Sequence, residues 1–118
     1  MSGFLGSGSS FFEIRDAGGH TDLLIRERGL GKGLAQSLGN QNCVLMCDHG
    51  STTVAQSIEL AVYRAVYAEV NAKLQIQDAA LGPINFLNEG EAALTAASTE
   101  GQAVRTWDLW RKRIDSID

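Results

Sequence analysis

The 118-residue chain is poor in the residue types that build self-contained reactive centres. It has two histidines and two cysteines. His20 stands in a glycine-rich turn with no partner at metal-ligand spacing, so a three-donor metal site within the chain is not expected. Cys43 and Cys47 fall on one expected strand, about 13 Å apart at roughly 3.3 Å per residue. That is too far for a disulfide, and both read as reduced thiols. No apolar run approaches the roughly 20 residues that cross a bilayer, so no membrane partner is expected. The net charge of −4 argues against a nucleic-acid partner. The cluster Arg111-Lys112-Arg113 is flanked by Asp108 and Asp115 and reads as a solvated helix end. A charged start followed by an apolar block is absent, which makes the cytoplasm the expected location. Gly3-Phe4-Leu5-Gly6-Ser7-Gly8 lacks both the lysine of a phosphate loop and the strand-then-helix context of a dinucleotide fingerprint. No cofactor-binding residue of that kind is expected.

What is present reads as a folded α/β chain, with 44% hydrophobic and 20% charged residues. Residues 1–10 are rich in Gly and Ser and predict a flexible lead-in. Phe11-Phe12-Glu13-Ile14-Arg15 predicts a short strand, closed by a turn at Asp16-Ala17-Gly18-Gly19. Asp22 to Ile25 fits a strand or the start of a helix. Leu30 to Leu38 predicts a helix, with Gly39 placed to end it in a left-handed conformation. Cys43 to Cys47 is apolar on both faces, as in a strand covered on each side. Thr53-Val54-Ala55-Gln56 has a capping-box pattern and predicts the start of a long helix. That helix carries an alanine-rich stripe (Ile58, Ala61, Val62, Ala65, Ala68, Ala72) and a second one (Tyr63, Tyr67, Val70, Leu74), and Gly82-Pro83 stops it. Asn88-Glu89-Gly90-Glu91 opens a further helix, expected to break around Ser98 to Gly101. A last helix sets Ala103, Trp107, Trp110 and Ile114 along one face.

The apolar strand ends in Asp48-His49-Gly50. Strand alternation puts Cys43, Leu45, Cys47 and His49 on one face, and His49 at the carboxyl end, where open α/β sheets place ligands. Cys47 and His49 together are two donors, short of a site. A Cys-His nucleophile pair is disfavoured too. Residues i and i+2 on a strand point in parallel, and nothing supplies an oxyanion hole or an orienting third group. No catalytic residue is assigned.

In order, "FLG", "FFEIRD", "TDLLI", the run "GKGLAQSLGNQNCVLMCDHGSTTVAQSIELAVYRAVYAEVNAKLQ" and "RTWDLWRKR" resemble the class II aldolase/adducin family. The resemblance runs from about Gly3 to about Arg113. Its most specific part is the strand ending in His-Gly and the helix with Tyr63, Arg64, Tyr67 and Asn71-Ala72. The similarity implies that residues 1–118 are the carboxyl-terminal portion of one such domain, closest to its decarboxylases of hydroxylated aromatic or heteroaromatic acids. It further implies part of a three-layer α/β/α fold with a central, largely antiparallel sheet, and homo-oligomers of four or more subunits. The implied activity is a carbon–carbon lyase, either a decarboxylase of a hydroxylated carboxylic acid or a sugar-phosphate-type aldolase. A divalent metal would be the cofactor, zinc foremost, with manganese or iron as alternatives. It would be held by three histidines and act as a Lewis acid on a small-molecule carboxylate or sugar-type substrate. Of the three ligands only His49 maps onto this sequence. The His-x-His pair and the proton-transferring acid of the amino-terminal half have no counterpart.

The resemblance therefore implies a chain incomplete as a catalyst, unable to retain the metal alone. Cys47 stands where decarboxylase-like relatives often carry arginine, and Ser10 where they often carry proline. Trp107, Trp110 and Arg111 either pack the last helix or help close a neighbouring subunit's site. A non-catalytic, adducin-like assembly module is the alternative reading, and a decayed reading frame is a third.

Overall fold

The computed structural model describes residues 3–117. Two apolar faces organise it. Strand β1 (Ser10–Phe12) pairs in parallel with β2 (Cys43–Met46), and β2 pairs antiparallel with β3 (Gly50–Thr53), giving the order β1-β2-β3. The antiparallel expectation thus holds for one pair and fails for the other. The parallel pair is possible because helices α1 (Ile14–Gly18) and α2 (Arg28–Leu38) supply the crossover that parallel strands need.

On one face of this sheet Phe12, Ile14 and Val44 are buried, with Leu23, Ile25, Leu30, Leu34, Leu38 and Met46 packed around them. Each fully buried side chain of this kind contributes about 1.5–3 kcal/mol. On the other face Cys43 is buried but Leu45 is 37% exposed. The expectation of a strand covered on both sides is met at the start of β2 and lost toward its end.

Several elements depart from the sequence expectation. The first strand stops at Phe12, and Ile14 opens α1, capped by the Glu13 carboxylate accepting from the Arg15 N–H at 3.0 Å. That local cap outweighs the β preference of Phe-Phe-Glu-Ile. The chain from 20 to 27 is irregular, neither strand nor helix, with Leu23 at φ 65°. The capping box at Thr53 is not used: Thr53 ends β3, and the long helix α3 (Ile58–Leu81) starts one turn later. Its cap is Ser57, whose Oγ accepts from the Leu60 N–H at 3.2 Å. The expected lead-in contains a 3-10 turn at Gly3–Leu5, where Gly3 and Phe4 are buried; Met1 and Ser2 lie outside the described residues. A Cβ on Gly3 would come within 2.5 Å of the Ala92 carbonyl, so only glycine fits this close approach.

Other expectations are met. Helix α2 ends at Gly39 with φ 54°, and α3 ends at Gly82. Helix α4 (Glu89–Glu100) opens with a full capping box between Asn88 and Glu91 and ends within the expected break. Helix α5 (Ala103–Asp115) packs on α3. The long helix is covered only in its first half. Tyr63 and Arg64 are buried there, whereas Leu74 is 49% and Leu81 87% exposed. The radius of gyration, 16.1 Å, exceeds the roughly 13–14 Å of a compact domain of this length. None of the described helices is long and apolar enough to cross a membrane.

Candidate functional site

His49 lies in the turn between β2 and β3, and it is exposed. Strand β2 ends at Met46, so the alternation that placed Cys47 and His49 on a common face does not reach them. The chain instead turns through Cys47, Asp48 and His49, and the His49 N–H donates to the Met46 carbonyl at 3.1 Å. Asp48 adopts φ 58°, uncommon for a residue with a Cβ, although aspartate tolerates it better than most. Gly50 then begins β3.

The turn is tied to the first part of the chain in two ways. The Cys47 N–H donates to the Phe12 carbonyl at 3.0 Å, continuing the β1–β2 ladder by one bond. The Asp48 carboxylate accepts from Nη2 of Arg15, whose Nη1 donates to Glu13 at 3.1 Å. The hydrogen bond that Arg15 donates to Asp48, with the negative charges of Glu13 and Asp48 adding, holds the guanidinium more firmly protonated than usual. Glu13 thereby caps α1 and aims Arg15 at the turn.

The other end of the hairpin is anchored by Arg64 on α3, one of the residues that carry the family resemblance. It is 9% exposed. Its Nη1 donates to the Asn42 side-chain oxygen at 2.9 Å and to the Val54 carbonyl at 2.6 Å, while Nε donates to Glu100 at 2.6 Å. Asn42 precedes β2 and Val54 follows β3, and the Val54 N–H also donates to the Asn42 carbonyl at 3.0 Å. Asn42 in turn donates to the Phe4 carbonyl at 2.8 Å. The signal available in the sequence was an arginine set between the two apolar stripes of α3, where a charge needs partners. Beside it, Tyr63 and Tyr67 pack with ring centroids 4.5 Å apart and planes tilted 48°, and burial, with Tyr67 adding, lifts the Tyr63 phenol above its ordinary range.

These residues do not make a metal centre on their own. Among the described residues no three of His, Cys, Asp and Glu lie together as a donor group. Asp48, the acid next to His49, is engaged by Arg15. Both cysteines are free thiols, Cys43 buried in β2 and Cys47 half-buried in the turn. His49 is a single accessible imidazole, and the donor set around it does not fit a resident ion. Trp107 and Trp110 are half-buried on α5, and Arg111 is exposed.

Comparison with known proteins points in one direction. Residues 10–76 match the family described as the class II aldolase and adducin N-terminal domain. The matched segment holds both anchors of the hairpin and the His49 turn. The chain is 36% identical over 138 residues to decarboxylase tropJ of Talaromyces stipitatus, which covers 98% of this chain and 52% of that protein. It is 35% identical over 60 residues to 3,4-dihydroxyphthalate decarboxylase of a Terrabacter species, covering 51% of this chain and 25% of that protein. The chain thus spans about half the length, or less, of the curated relatives it matches.

Proposed function

The chain belongs to the class II aldolase and adducin family, and from that premise we propose that it carries one part of a metal-dependent carbon–carbon lyase site. The reaction is decarboxylation of a small hydroxylated carboxylic acid, and His49 is one of the metal's ligands. The observation that carries this reading is the placement of His49: exposed, at the carboxyl end of β2, on a turn tied to α1 and β1. The names of both relatives favour decarboxylation over aldol cleavage.

Because one imidazole is not a metal site, the chain contributes a ligand and the remaining donors come from outside these 118 residues. When bound, a divalent ion would supply Lewis acidity toward substrate oxygens. The part that falls to this chain is one imidazole nitrogen, offered on a turn tied to α1 and β1. Zinc as the ion, assembly into a homo-oligomer and a cytoplasmic location belong to the same proposal. The uncovered second half of α3 and the open outline of the chain support further polypeptide packing there.

Metal uptake and turnover test the reading together. Calorimetric titration with Zn2+ or Mn2+ should show weak association that His49→Ala abolishes. An assay of carbon dioxide release from 3,4-dihydroxyphthalate should show no turnover by the chain alone. Tight stoichiometric metal with turnover would overturn the claim that outside donors are needed. Metal association unchanged by His49→Ala would overturn the ligand role. The adducin-like assembly module is favoured by one observation, the exposed Val70, Leu74 and Ile76 on α3. It predicts self-association that is indifferent to His49→Ala.

A further inference from the structure

We propose that Arg15 is a positioning residue: through the Asp48 carboxylate it holds the β2–β3 turn in the conformation that presents His49. The importance of that presentation rests on the proposed ligand role of His49; the holding itself does not.

Three residues form the turn, and they are tied down in two ways. Cys47 and His49 are held by their own backbone N–H groups, to Phe12 and Met46. Asp48 is held by its side chain, across 33 positions of sequence, to Arg15. It is also the residue with positive φ, immediately before His49. A backbone in that region persists where its surroundings hold it there. Among the described residues, the Asp48–Arg15 pair is the only side-chain hydrogen bond from this turn to another element. The guanidinium is oriented in advance by its second bond to Glu13, which the backbone of Arg15 itself fixes. A planar fork held this way loses little freedom when it takes Asp48.

The pair is a poor candidate for a device of global stability. The side chains of Arg15 and Asp48 are 52% and 63% exposed, and exposed pairs contribute little to folding. Its effect falls instead on the direction in which the chain leaves Met46 and re-enters at Gly50. That direction sets where the His49 Cα–Cβ bond points.

The test uses the full chain and backbone 15N relaxation, with the melting temperature as control. Arg15→Met and Asp48→Asn are the informative variants, the second because asparagine still accepts positive φ. Order parameters at Asp48 and His49 should fall from the rigid value of about 0.85 toward 0.6 in either variant. The double variant should fall no further, and Arg15→Lys should restore part of the loss. Melting temperature should barely move, and raised salt should mimic the variants. Unchanged order at residues 48 and 49 in Arg15→Met would overturn the proposal, as would additive losses in the double variant. If the turn loosens as expected while His49→Ala leaves metal association unchanged, the positioning stands and the ligand role of His49 falls.

Discussion

The β2–β3 hairpin is held at its two ends by two arginines of opposite character. At the base, Arg64 is buried and its donors reach a helix carboxylate, an asparagine side chain and a backbone carbonyl. At the tip, Arg15 is half in solvent and meets two carboxylates. Removing one partner of a buried, hydrogen-bonded charge strands the others away from water, which is costly. Removing one partner of an exposed pair lets water replace it. The base therefore belongs to folding, and the tip is free to serve presentation of His49. Separating them in this way lets the exposed residue change without the strand pair coming apart.

The largest expected effect is at the base. Arg64→Met should destabilise the chain by about 3 kcal/mol, measured by urea denaturation, because Glu100, Asn42 and Val54 lose their donor together. A loss under about 1 kcal/mol, the scale of an exposed pair, would erase the contrast between base and tip. Next is Gly3→Ala, whose Cβ would meet backbone atoms of Ala92 and Ala96 at 2.5 and 2.7 Å. The turn at Gly3–Leu5 should shift away from α4, at a cost of about 1–3 kcal/mol by the same measurement.

At the tip, Asp48→Ala should cost about 1 kcal/mol, from positive φ alone, and Asp48→Gly should cost less. A smaller effect depends on pH. The raised Tyr63 phenol means that the folded chain keeps its proton longer than the unfolded one. That contribution is whole below the ordinary tyrosine pKa, near 10, and is lost as pH rises through the higher folded value. The urea midpoint should drop at alkaline pH, and Tyr63→Phe should remove that part of the drop. Smallest is the exposed pair of Glu69 and Lys73 on α3, where Lys73→Ala should leave the midpoint unchanged.

Much of the fold is readable from residue pattern. The Asn88 box, the Gly39 and Gly82 stops and the buried start of β2 are local signals, and each appears where the pattern puts it. Strand β3 was not legible, because Gly-Ser-Thr-Thr has no apolar alternation and is held by pairing with β2 rather than by its own burial. Helix α1 was hidden for a related reason: a carboxylate cap overrode the β preference of its first residues. At the candidate site, His49 was legible as a residue but not in its direction. The strand stops at Met46, and the positive φ of Asp48 reorients the chain beyond it. The Arg15–Asp48 and Arg64 contacts join residues 10 to 36 apart, which no local pattern contains.

The proposed role of His49 as an accessible single ligand is tested most directly by cobalt(II) titration followed by proton NMR. The chain has two histidines, so His20 is an internal control in the same spectrum. The expected result is selective paramagnetic broadening of the His49 ring resonances at weak affinity, with His20 spared. Equal broadening of both rings, or none at His49, would contradict that role.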